Sequence, residues 1–563
     1  MTHHRLAKAV VSTVTFALPP GTARTGRRRA PHAGRPAFFV PLLLAGALPL
    51  NALALVTVPG DYATVQAAVD AAQVSADPKV VINSNANFNE NLVVTDTVEI
   101  VAGDGFSPTI TGDSANGTVY LSYTGTTGQI LTLEGLKLRN SGGSSPWGIV
   151  HTTSAGTSAG IVYVYLNEVD VESTTGRPIL TVRNDSASTS HNVTIGDSQL
   201  RMTAAGPSSG SMVQMNNKGQ LMVVNSTFDL TGGGGVFDLR GGTPSTAGAI
   251  AFRMEESVLN VTAPLGPYSN TAVSLLNNVG STLVGNQFNF TQPGAGGSSG
   301  IHISGATNGQ THTISHNRFT GQGERSGSGV SVAPHWGDHS VTATIFNNVM
   351  HRLDYGIQVS PQSPGDTATV VALNNTIDDA YGCLSLGANT GTTINGRFEN
   401  NLCTNIEGES GSGEEGSYFY GAIGAYAGTG STLTMSFANN GFHNNAHGNY
   451  APTVASIPDV GEAFSNADPR YVNRAAGDLR LYTGSPAIDA GRDQRPLVTD
   501  DAAWTPRPQG AAFDIGAYEG GETPPPGGSG ASVTPVPTLG QWTLLGLGLL
   551  AAGLGGVQLR RRG

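Results

Sequence analysis

The chain has few charged side chains, few aromatic rings and almost no lysine. Asp, Glu, Lys and Arg make up 12% of its 563 residues, and the net charge at pH 7 is −11. Residues 1–54 carry seven Lys or Arg and no acid, so the remainder holds 22 basic and 40 acidic side chains, a balance of −18. Beyond residue 54 the only lysines are Lys79, Lys137 and Lys218. A surface this acidic repels phosphate groups, which argues against nucleic acid as a partner.

A helical apolar period is also missing between residues 133 and 442. No convincing apolar run there recurs every 3.6 residues, whereas residues 341–345 and 369–373 alternate in the manner of strands. Glycine is abundant, at 77 residues, and permits the positive φ of tight corners. This composition predicts short strands and turns.

One pattern returns through the same stretch: a small or polar pair, any residue, then an apolar anchor. The anchors lie 26 to 39 residues apart, at positions 138, 171, 200, 228, 259, 288, 319, 350, 377, 403 and 442. Such a period indicates stacked units, none of which can bury its apolar side alone. Each coil is predicted to hold a strand, an Asn-marked turn, a second strand and a Gly-rich loop. The Asn pairs at 347/348, 374/375 and 400/401 are predicted to form a ladder of side-chain amides.

This repeat resembles the right-handed parallel β-helix of the pectate-lyase-like superfamily over residues 56 to 450. The resemblance implies an all-β, right-handed single-stranded parallel β-helix at 76–450, preceded by a capping helix within 55–75. Tyr62, Val65, Ala68, Val69 and Ala72 share one face of that helix, and Asp61 can cap it. The superfamily includes polysaccharide lyases, polygalacturonases, tailspikes and surface proteins, so the likeness indicates architecture more than activity.

The two cysteines, Cys383 and Cys403, both fall on inward-facing positions of the repeat. Cys403 takes the anchor position of Ile377, and Cys383 takes roughly that of Ile357. Because these positions belong to different sides of the coil, the sequence favours two small buried thiols over a disulfide between neighbouring coils. Nothing supports a catalytic or metal-binding role for them.

Four residues are candidates for a carbohydrate-active site: Arg352, Asp354, Asp378 and Asp379. Arg352 occupies the position of Asp379 one coil earlier, so the two are predicted to stack. A polysaccharide lyase needs an acidic cluster for Ca²⁺ and a basic residue near the sugar's α-proton, and a hydrolase needs two carboxylates. The alternative is a surface ion pair that keeps the sheet soluble.

Other clusters favour simpler interpretations. The His335-Trp336-Gly337-Asp338-His339 stretch contains two His four apart, but Gly337 and the preceding proline predict an exposed turn over a metal site. Glu407, Glu409, Glu414 and Glu415 lie among Gly and Ser and predict a solvated loop, with weak Ca²⁺ binding as the alternative. The Asn-Thr-Asp motif of polygalacturonases and the Trp-x-Asp-His and Arg-x-Pro-x-x-Arg motifs of pectate lyases are absent.

Residues 451–519 form a different region. Ser485-Pro486-Ala487-Ile488-Asp489-Ala490-Gly491 and Asp514-Ile515-Gly516-Ala517-Tyr518-Glu519 closely resemble the choice-of-anchor Q module found after β-helices in bacterial surface proteins. The density of Asp, Gly and Pro predicts tight turns and a C-terminal cap. An acidic catalytic role for Asp489, Asp514 or Glu519 is the less favoured alternative.

Both ends of the chain resemble targeting signals. Residues 1–54 combine a basic front with an apolar run at 37–50 and a small-x-small cleavage site at 52–54, which predicts an export signal. Residues 520–535 predict a Pro/Gly/Ser linker. Residues 536–563 then resemble the IPTL-CTERM sorting signal, with an apolar run at 542–559 long enough to span a membrane and three terminal arginines. That resemblance implies processing by an exosortase-type transpeptidase.

Together these features predict an exported protein at the cell surface or outer membrane of a Gram-negative bacterium. We expect a non-enzymatic adhesin or a glycan-binding protein whose partner is an extracellular polysaccharide or another surface polymer. The alternative is a polysaccharide lyase or glycoside hydrolase. No cofactor is indicated with certainty, although Ca²⁺ is compatible with the acidic clusters.

Overall fold

The computed structural model describes residues 56–523 apart from 143–144, 187, 204–209, 243–247, 263–270, 292–298, 306–308, 323–326, 409–420 and 452–459. The export signal and the sorting signal therefore lie outside the described residues, as do Glu409, Glu414 and Glu415. Within the described part no helix is long and apolar enough to cross a membrane.

Three parallel sheets, here named A, B and C, wind along the chain. Sheet A comprises Val56–Val58, Lys79–Ile82, Val98–Ala102, Gln129–Glu134, Gly160–Asn167, Thr189–Gly196, Gly219–Val224, Ile250–Glu255, Val279–Val284, Gln310–Ser315, Ser340–Phe346, Thr367–Leu373, Thr393–Glu399 and Thr432–His443. Sheet B comprises Asn87–Asn89, Thr109–Gly112, Lys137–Asn140, Asp170–Ser173, Gln199–Thr203, Thr227–Thr231, Val258–Thr262, Gln287–Thr291, Arg318–Gln322, Val349–His351, Thr376–Asp378, Leu402–Thr404 and Val460–Ser465. The long strand Thr432–His443 pairs with strands of both sheets.

Sheet C closes each coil. Its strands are Leu92–Val94, Val119–Tyr123, Val150–Ser154, Leu180–Asn184, Val213–Asn217, Phe237–Gly241, Thr271–Leu276, Ser299–Ser304, Ser328–Val332, Tyr355–Val359, Gly382–Ala388 and Ile423–Ala427. The predicted parallel β-solenoid is confirmed, with three strands in each coil where the sequence predicted two. Its right-handed sense stays a prediction.

The predicted anchors form one continuous column on sheet B. Each pairs in register with the next, from Leu138 to Phe442. All eleven are fully buried. The repeat was recognisable because one interior position must be filled by an apolar side chain in every coil.

The Asn ladder is also confirmed. The second residue of each pair is buried, and its amide bonds the same position one coil later; Asn348 Nδ2 donates to Asn375 Oδ1 at 2.9 Å, and Asn375 Nδ2 donates to Asn401 Oδ1 at 2.9 Å. The ladder begins at Asn286 and ends at Asn440. In three earlier coils serine takes this place, and Ser226 N donates to Ser257 Oγ at 3.2 Å.

The N-terminal helix, Val65–Gln73, buries the predicted face formed by Val65, Ala68, Val69 and Ala72. Its capping residue differs from the prediction. Thr64 is the N-cap, and its side chain accepts a hydrogen bond from Ala67 N. Asp61 instead accepts from the backbone N–H and hydroxyl of Thr57, because it lies too far ahead of the first turn. The role of the helix as a cap of the solenoid stays a prediction.

The prediction of two free thiols is wrong, because Cys383 and Cys403 form a disulfide. The strand register places Cys383 one coil after Gly356, next to the expected Ile357. A Cβ atom at Gly356 would lie 2.8 Å from the side chain of Ile377, the anchor that precedes Cys403. Side chains from different sides of the narrow coil thus contact each other in its interior, and two cysteines at these positions come within bonding distance.

Residues 466–523, here called the C-terminal segment, contain little regular structure. The strands Tyr471–Asn473 and Asp478–Leu481 pair antiparallel, and the one-turn 3₁₀ helix Arg474–Ala476 connects them. The remainder is turns. Its apolar residues pack on the solenoid, with Ile515 against Leu402.

Candidate functional site

Asp378 lies at the centre of the cluster predicted from the sequence. Its carboxylate is fully buried and faces His351 Nδ1 at 3.0 Å, Thr404 Oγ1 at 2.7 Å, Asn405 Nδ2 at 2.7 Å and Arg474 Nε at 2.9 Å. Burial acts to raise the pKa of Asp378, but the hydrogen bonds from His351, Thr404 and Asn405 and the charge of Arg474 outweigh it and lower that pKa. With every lone-pair direction engaged, this carboxylate is suited to holding structure together and poorly suited to proton transfer.

Arg352 stacks on Asp379 as the sequence predicted. The register pairs the strands that precede them, and Arg352 Nε lies 3.4 Å from Asp379 Oδ2. Both are partly exposed, with side-chain exposures of 44% and 24%. The carboxylate of Asp354 accepts the backbone N–H of Gly327 at 2.8 Å. The structure therefore brings three of the four candidates to one corner, and their catalytic role stays a prediction.

Arg474 of the C-terminal segment completes this cluster, which the sequence did not predict. Its guanidinium contacts Asp378 and also lies 3.9 Å from Asp379. Arg474 and Asp378 are 96 residues apart in the chain, and no local sequence pattern around residue 474 predicts their contact. Carboxylates that we expected to face a sugar therefore help to attach one part of the chain to another.

A column of outer asparagines binds the backbone of the C-terminal segment. These are the first residues of the Asn pairs, and all have left-handed backbone conformations that Asn tolerates well. Their Nδ2 atoms donate to carbonyl oxygens of the segment: Asn347 to Asp500 at 2.6 Å, Asn374 to Asp514 at 2.9 Å, Asn400 to Arg492 at 2.7 Å and Asn439 to Ala490 at 2.8 Å. The double Asn thus has two functions, since the inner amide joins coils and the outer amide holds the segment.

A sequence feature marks the coils that bind the C-terminal segment. Copies of the repeat with two asparagines occur only from position 347 onward, whereas earlier copies begin with Asp197, Asn225 or Glu256. At the boundary His316 takes the outer position. Its ring stacks on Trp504 at 3.9 Å between centroids, and its Nε2 lies 3.1 Å from Asp500 Oδ1.

The acidic residues of the C-terminal segment hold its turns. Glu519 forms a fully buried ion pair with Arg507 at 2.5 Å, and Asp514 accepts the backbone N–H groups of Asp489 and Gly520 at 2.7 and 2.6 Å. Burial, with Glu519 nearby, raises the pKa of Asp514 to about 6. Although that pKa would suit an acid catalyst, Asp514 is 1% exposed and cannot reach a polymer.

A cleft of about 290 Å³ lies where the segment meets the solenoid. Asn405 and His443 line it from the solenoid, and residues 468–471 and Arg474 line it from the segment. In the described part of the chain no group of His, Cys, Asp and Glu could hold a metal ion. The His335 to His339 stretch is a turn as predicted, with His335 bonded to Ser304 Oγ at 2.6 Å and His339 facing Asp366 at 3.8 Å.

The outer face of sheet A carries few charged side chains. Eight consecutive strands, from Gln129–Glu134 to Ser340–Phe346, stack in register, and two central outward positions on each strand form two columns. Within these two columns Arg253 is the only charged residue, and it pairs with Glu255. Glu134 and Glu255 face outward at the ends of their own strands. The set is Ile130, Thr132, Tyr163, Tyr165, Asn192, Thr194, Gln220, Met222, Ala251, Arg253, Gly280, Thr282, Thr311, Thr313, Thr342 and Thr344, none of them buried.

Sheet B presents the opposite character. Its early strands carry an ion-pair network in which Arg139 and Arg201 both contact Asp170, at 3.2 and 2.7 Å. Its later strands lie under the C-terminal segment. The segment also reaches sheet A, where Val498 and Phe513 pack with Phe346, Val371 and Leu373. Gln494 of the segment bonds Arg397 and Glu399 of a later sheet A strand. The sparsely charged face of sheet A before Phe346 is therefore one long flat surface available to a partner.

Comparison with known proteins identifies one sequence family. Residues 534–562 match the IPTL-CTERM motif, which confirms the predicted sorting signal and indicates an exported, surface-anchored protein. No curated protein matches the chain. The solved structures that are similar include the crystal structure of bacteriophage CBA120 tailspike protein 3, at 12% identity and a TM-score of 0.38. The alignment covers 68% of this chain and 63% of the tailspike, less than two thirds of that protein's length.

Proposed function

We propose that this protein is a surface-displayed β-helix that binds an extended, uncharged polysaccharide along the outer face of sheet A without cleaving it. After export, an exosortase-type transpeptidase removes the tail and attaches the protein to the surface of a Gram-negative cell. The IPTL-CTERM match concerns only sorting, and the proposal adds a function for the solenoid that is displayed.

The observation that carries the proposal is the array of mostly uncharged side chains on the outer face of sheet A. Neighbouring strands lie about 4.8 Å apart, so eight strands extend about 34 Å, enough for several sugar units of an elongated polymer. Thr311, Thr313, Thr342 and Thr344 stack in register and present hydroxyl groups in two parallel lines. Hydroxyls both donate and accept hydrogen bonds, which matches the chemistry of a neutral sugar.

Cleavage is less well supported. Asp378 is saturated with hydrogen bonds, and Asp354 is bound to a backbone N–H. The remaining pair, Arg352 with Asp379, is partly exposed, and this exposure is the specific observation in favour of a lyase or hydrolase. If product formation is detected, Arg352→Ala and Asp379→Ala should each abolish it while leaving the fold intact.

The test uses the mature protein purified from the cell surface. It is run through affinity gels containing neutral polysaccharides (hydroxyethylcellulose, xylan, glucomannan and dextran) or polygalacturonate, and reducing ends and unsaturated products are recorded with and without Ca²⁺. We expect retardation by a neutral polymer and no products. Thr313→Glu should weaken this binding, and Thr227→Glu, a matched change on sheet B, should not. Product release, or equal binding by both variants, would refute the proposal.

Sorting has its own test. Mass spectrometry of surface-exposed protein should find neither residues 1–54 nor residues 542–563, because both signals are removed during export and attachment. Recovery of an intact end containing Arg560, Arg561 and Arg562 would contradict transpeptidase processing and leave a simple tail anchor.

A further inference from the structure

We infer that Tyr163 and Tyr165 form the anchoring subsite of the sheet A face, where the rings of a neutral hexose or pentose polymer pack against aromatic surfaces. This inference rests on the function proposed above and deepens it, because it names where binding is concentrated and what chemistry is recognised. It also gives a binding role to the N-terminal half of the solenoid, which contains none of the site residues predicted from the sequence.

The two rings are held in a fixed arrangement by the strand that bears them. Tyr163 and Tyr165 are alternate residues of the strand Gly160–Asn167, so both point away from the interior. Val162, which precedes Tyr163, and Val164, which lies between the two tyrosines, are fully buried. Their rings are parallel within 2°, with centroids 6.3 Å apart. A paired aromatic surface set by a β-strand loses little conformational freedom when a ligand binds.

Exposed aliphatic side chains surround this pair. Ile130, Ile161 and Met222 are 41%, 39% and 37% exposed, and they are three of the few large apolar side chains in the described part of the chain that face water to this extent. Ile130 lies beside Tyr163 in the strand register. Apolar surface concentrated in one place on an otherwise polar protein marks a binding site.

Polar groups frame the aromatic pair at each side. Thr132 and Thr194 flank Tyr165, and Asn192 flanks Tyr163. Burial, followed by the nearness of Tyr163, raises the pKa of Tyr165, so its hydroxyl remains a hydrogen-bond donor over the whole neutral range. Aromatic faces attract the slightly positive C–H groups of a sugar ring while hydroxyl and amide groups bind its hydroxyls.

The absence of a free cation decides which ligand fits. Along the column of Tyr165 the nearest charged residues are Glu99, beside Thr132, and Arg253, beside Met222. On the strands between them the one charged residue that faces outward is Glu134, beside Asn167. Glu99 is paired with Lys79 and Arg253 with Glu255. A uronate or sulfated polymer would meet no free cation here and would be repelled by Glu134, so a neutral polymer is the better fit.

The experiment compares the mature protein with Tyr163→Ala, Tyr165→Ala and the ring-preserving variants Tyr163→Phe and Tyr165→Phe, using the same affinity gels. The control is Trp336→Ala, which removes an aromatic ring that is 64% exposed on the turn before Ser340–Phe346, six strands from the strand of Tyr163 and Tyr165. Melting curves verify that each variant is folded. We expect each Ala variant to weaken binding at least about tenfold, the effect of losing an aromatic hot spot, and each Phe variant to retain most of the affinity.

The outcomes separate this inference from the proposed function. If the protein binds a neutral polymer and folded Tyr→Ala variants bind equally well, the subsite is refuted while the binding function stands. If Trp336→Ala is as damaging as the Tyr variants, the binding is not centred on Tyr163 and Tyr165 and the subsite is likewise refuted. Failure of the unaltered protein to bind any neutral polymer, or binding of polygalacturonate alone, would overturn both.

Discussion

Replacing Asn375 by Leu should lower the free energy of unfolding of its coils by about 2 to 6 kcal/mol. The side chain makes four buried hydrogen bonds. Its Oδ1 accepts from the backbone N–H and from Nδ2 of Asn348 at 3.0 and 2.9 Å, and its Nδ2 donates to Asn401 Oδ1 and to the Ile345 carbonyl, both at 2.9 Å. Each bond contributes about 0.5–1.5 kcal/mol, and leucine of similar volume leaves its partners unpaired and shielded from water.

The assay is hydrogen exchange at the Asn348 amide combined with urea unfolding, because a solenoid loses structure coil by coil and a single global transition can miss a local defect. The chain provides its own control. Asn375→Ser copies the serine found at this position in earlier coils, where Ser257 Oγ accepts the backbone N–H of Ser226. We expect stability to decrease from the unaltered protein to the Ser variant and then to the Leu variant. A Leu variant as stable as the Ser variant would show that the side-chain amide does not contribute as we argue.

Three further predictions concern other buried interactions. Reduction of the Cys383–Cys403 disulfide, which closes a loop of 20 residues, should lower the free energy of unfolding by about 3 kcal/mol and lower the melting temperature. The double variant Cys383→Gly with Cys403→Ile has the residues of the preceding coil and should be more stable than the double Ser variant. Equal melting temperatures of the two double variants would contradict that packing argument. Burial lowers the pKa of His191 to about 4 and of His312 to about 3. As pH falls below about 6.5, these two histidines take up protons in the unfolded chain but not in the folded protein. Their contribution to the free energy of unfolding is therefore complete above pH 7 and should fall by about 5 kcal/mol by pH 4.5. Urea unfolding across this range should show a shallower slope for His191→Leu with His312→Gln, and an unchanged slope would exclude them as the cause. Finally, Arg507→Met leaves a buried carboxylate unpaired and should cost about 3–5 kcal/mol, seen as early proteolysis within residues 466–523; unaltered protease resistance would refute that role.

The anchors and the inner asparagines were predictable because each coil repeats the same local requirement. An interior position must be apolar in every coil, and a buried turn must satisfy its backbone groups in every coil, so Phe319, Met350 and Ile377 or Asn348 and Asn375 recur at a fixed distance. The stacking of Arg352 on Asp379 followed from the same register. A repeat reveals which residues are neighbours one coil apart.

Contacts within a coil and contacts with the C-terminal segment were not predictable in this way. Cys383 and Cys403 meet because the coil is narrow, which depends on the lengths of three strands and not on spacing alone. Arg474 reaches Asp378 because the chain turns back along sheet B after the last coil. Neither distance is set by a periodic pattern.

The sequence by itself determined the solenoid, its anchor column, its amide ladder and its sorting signal, since each of these depends on residues close in the chain or one period apart. Only the tertiary structure decided which face remains free. The C-terminal segment covers the later strands of sheet B through the outer asparagines and Arg474, and ion pairs occupy the earlier ones. Exposure of the sparsely charged face of sheet A, with Tyr163 and Tyr165 on it, follows from which surfaces the folded chain uses to bind itself, a property of the whole packing and not of any local pattern.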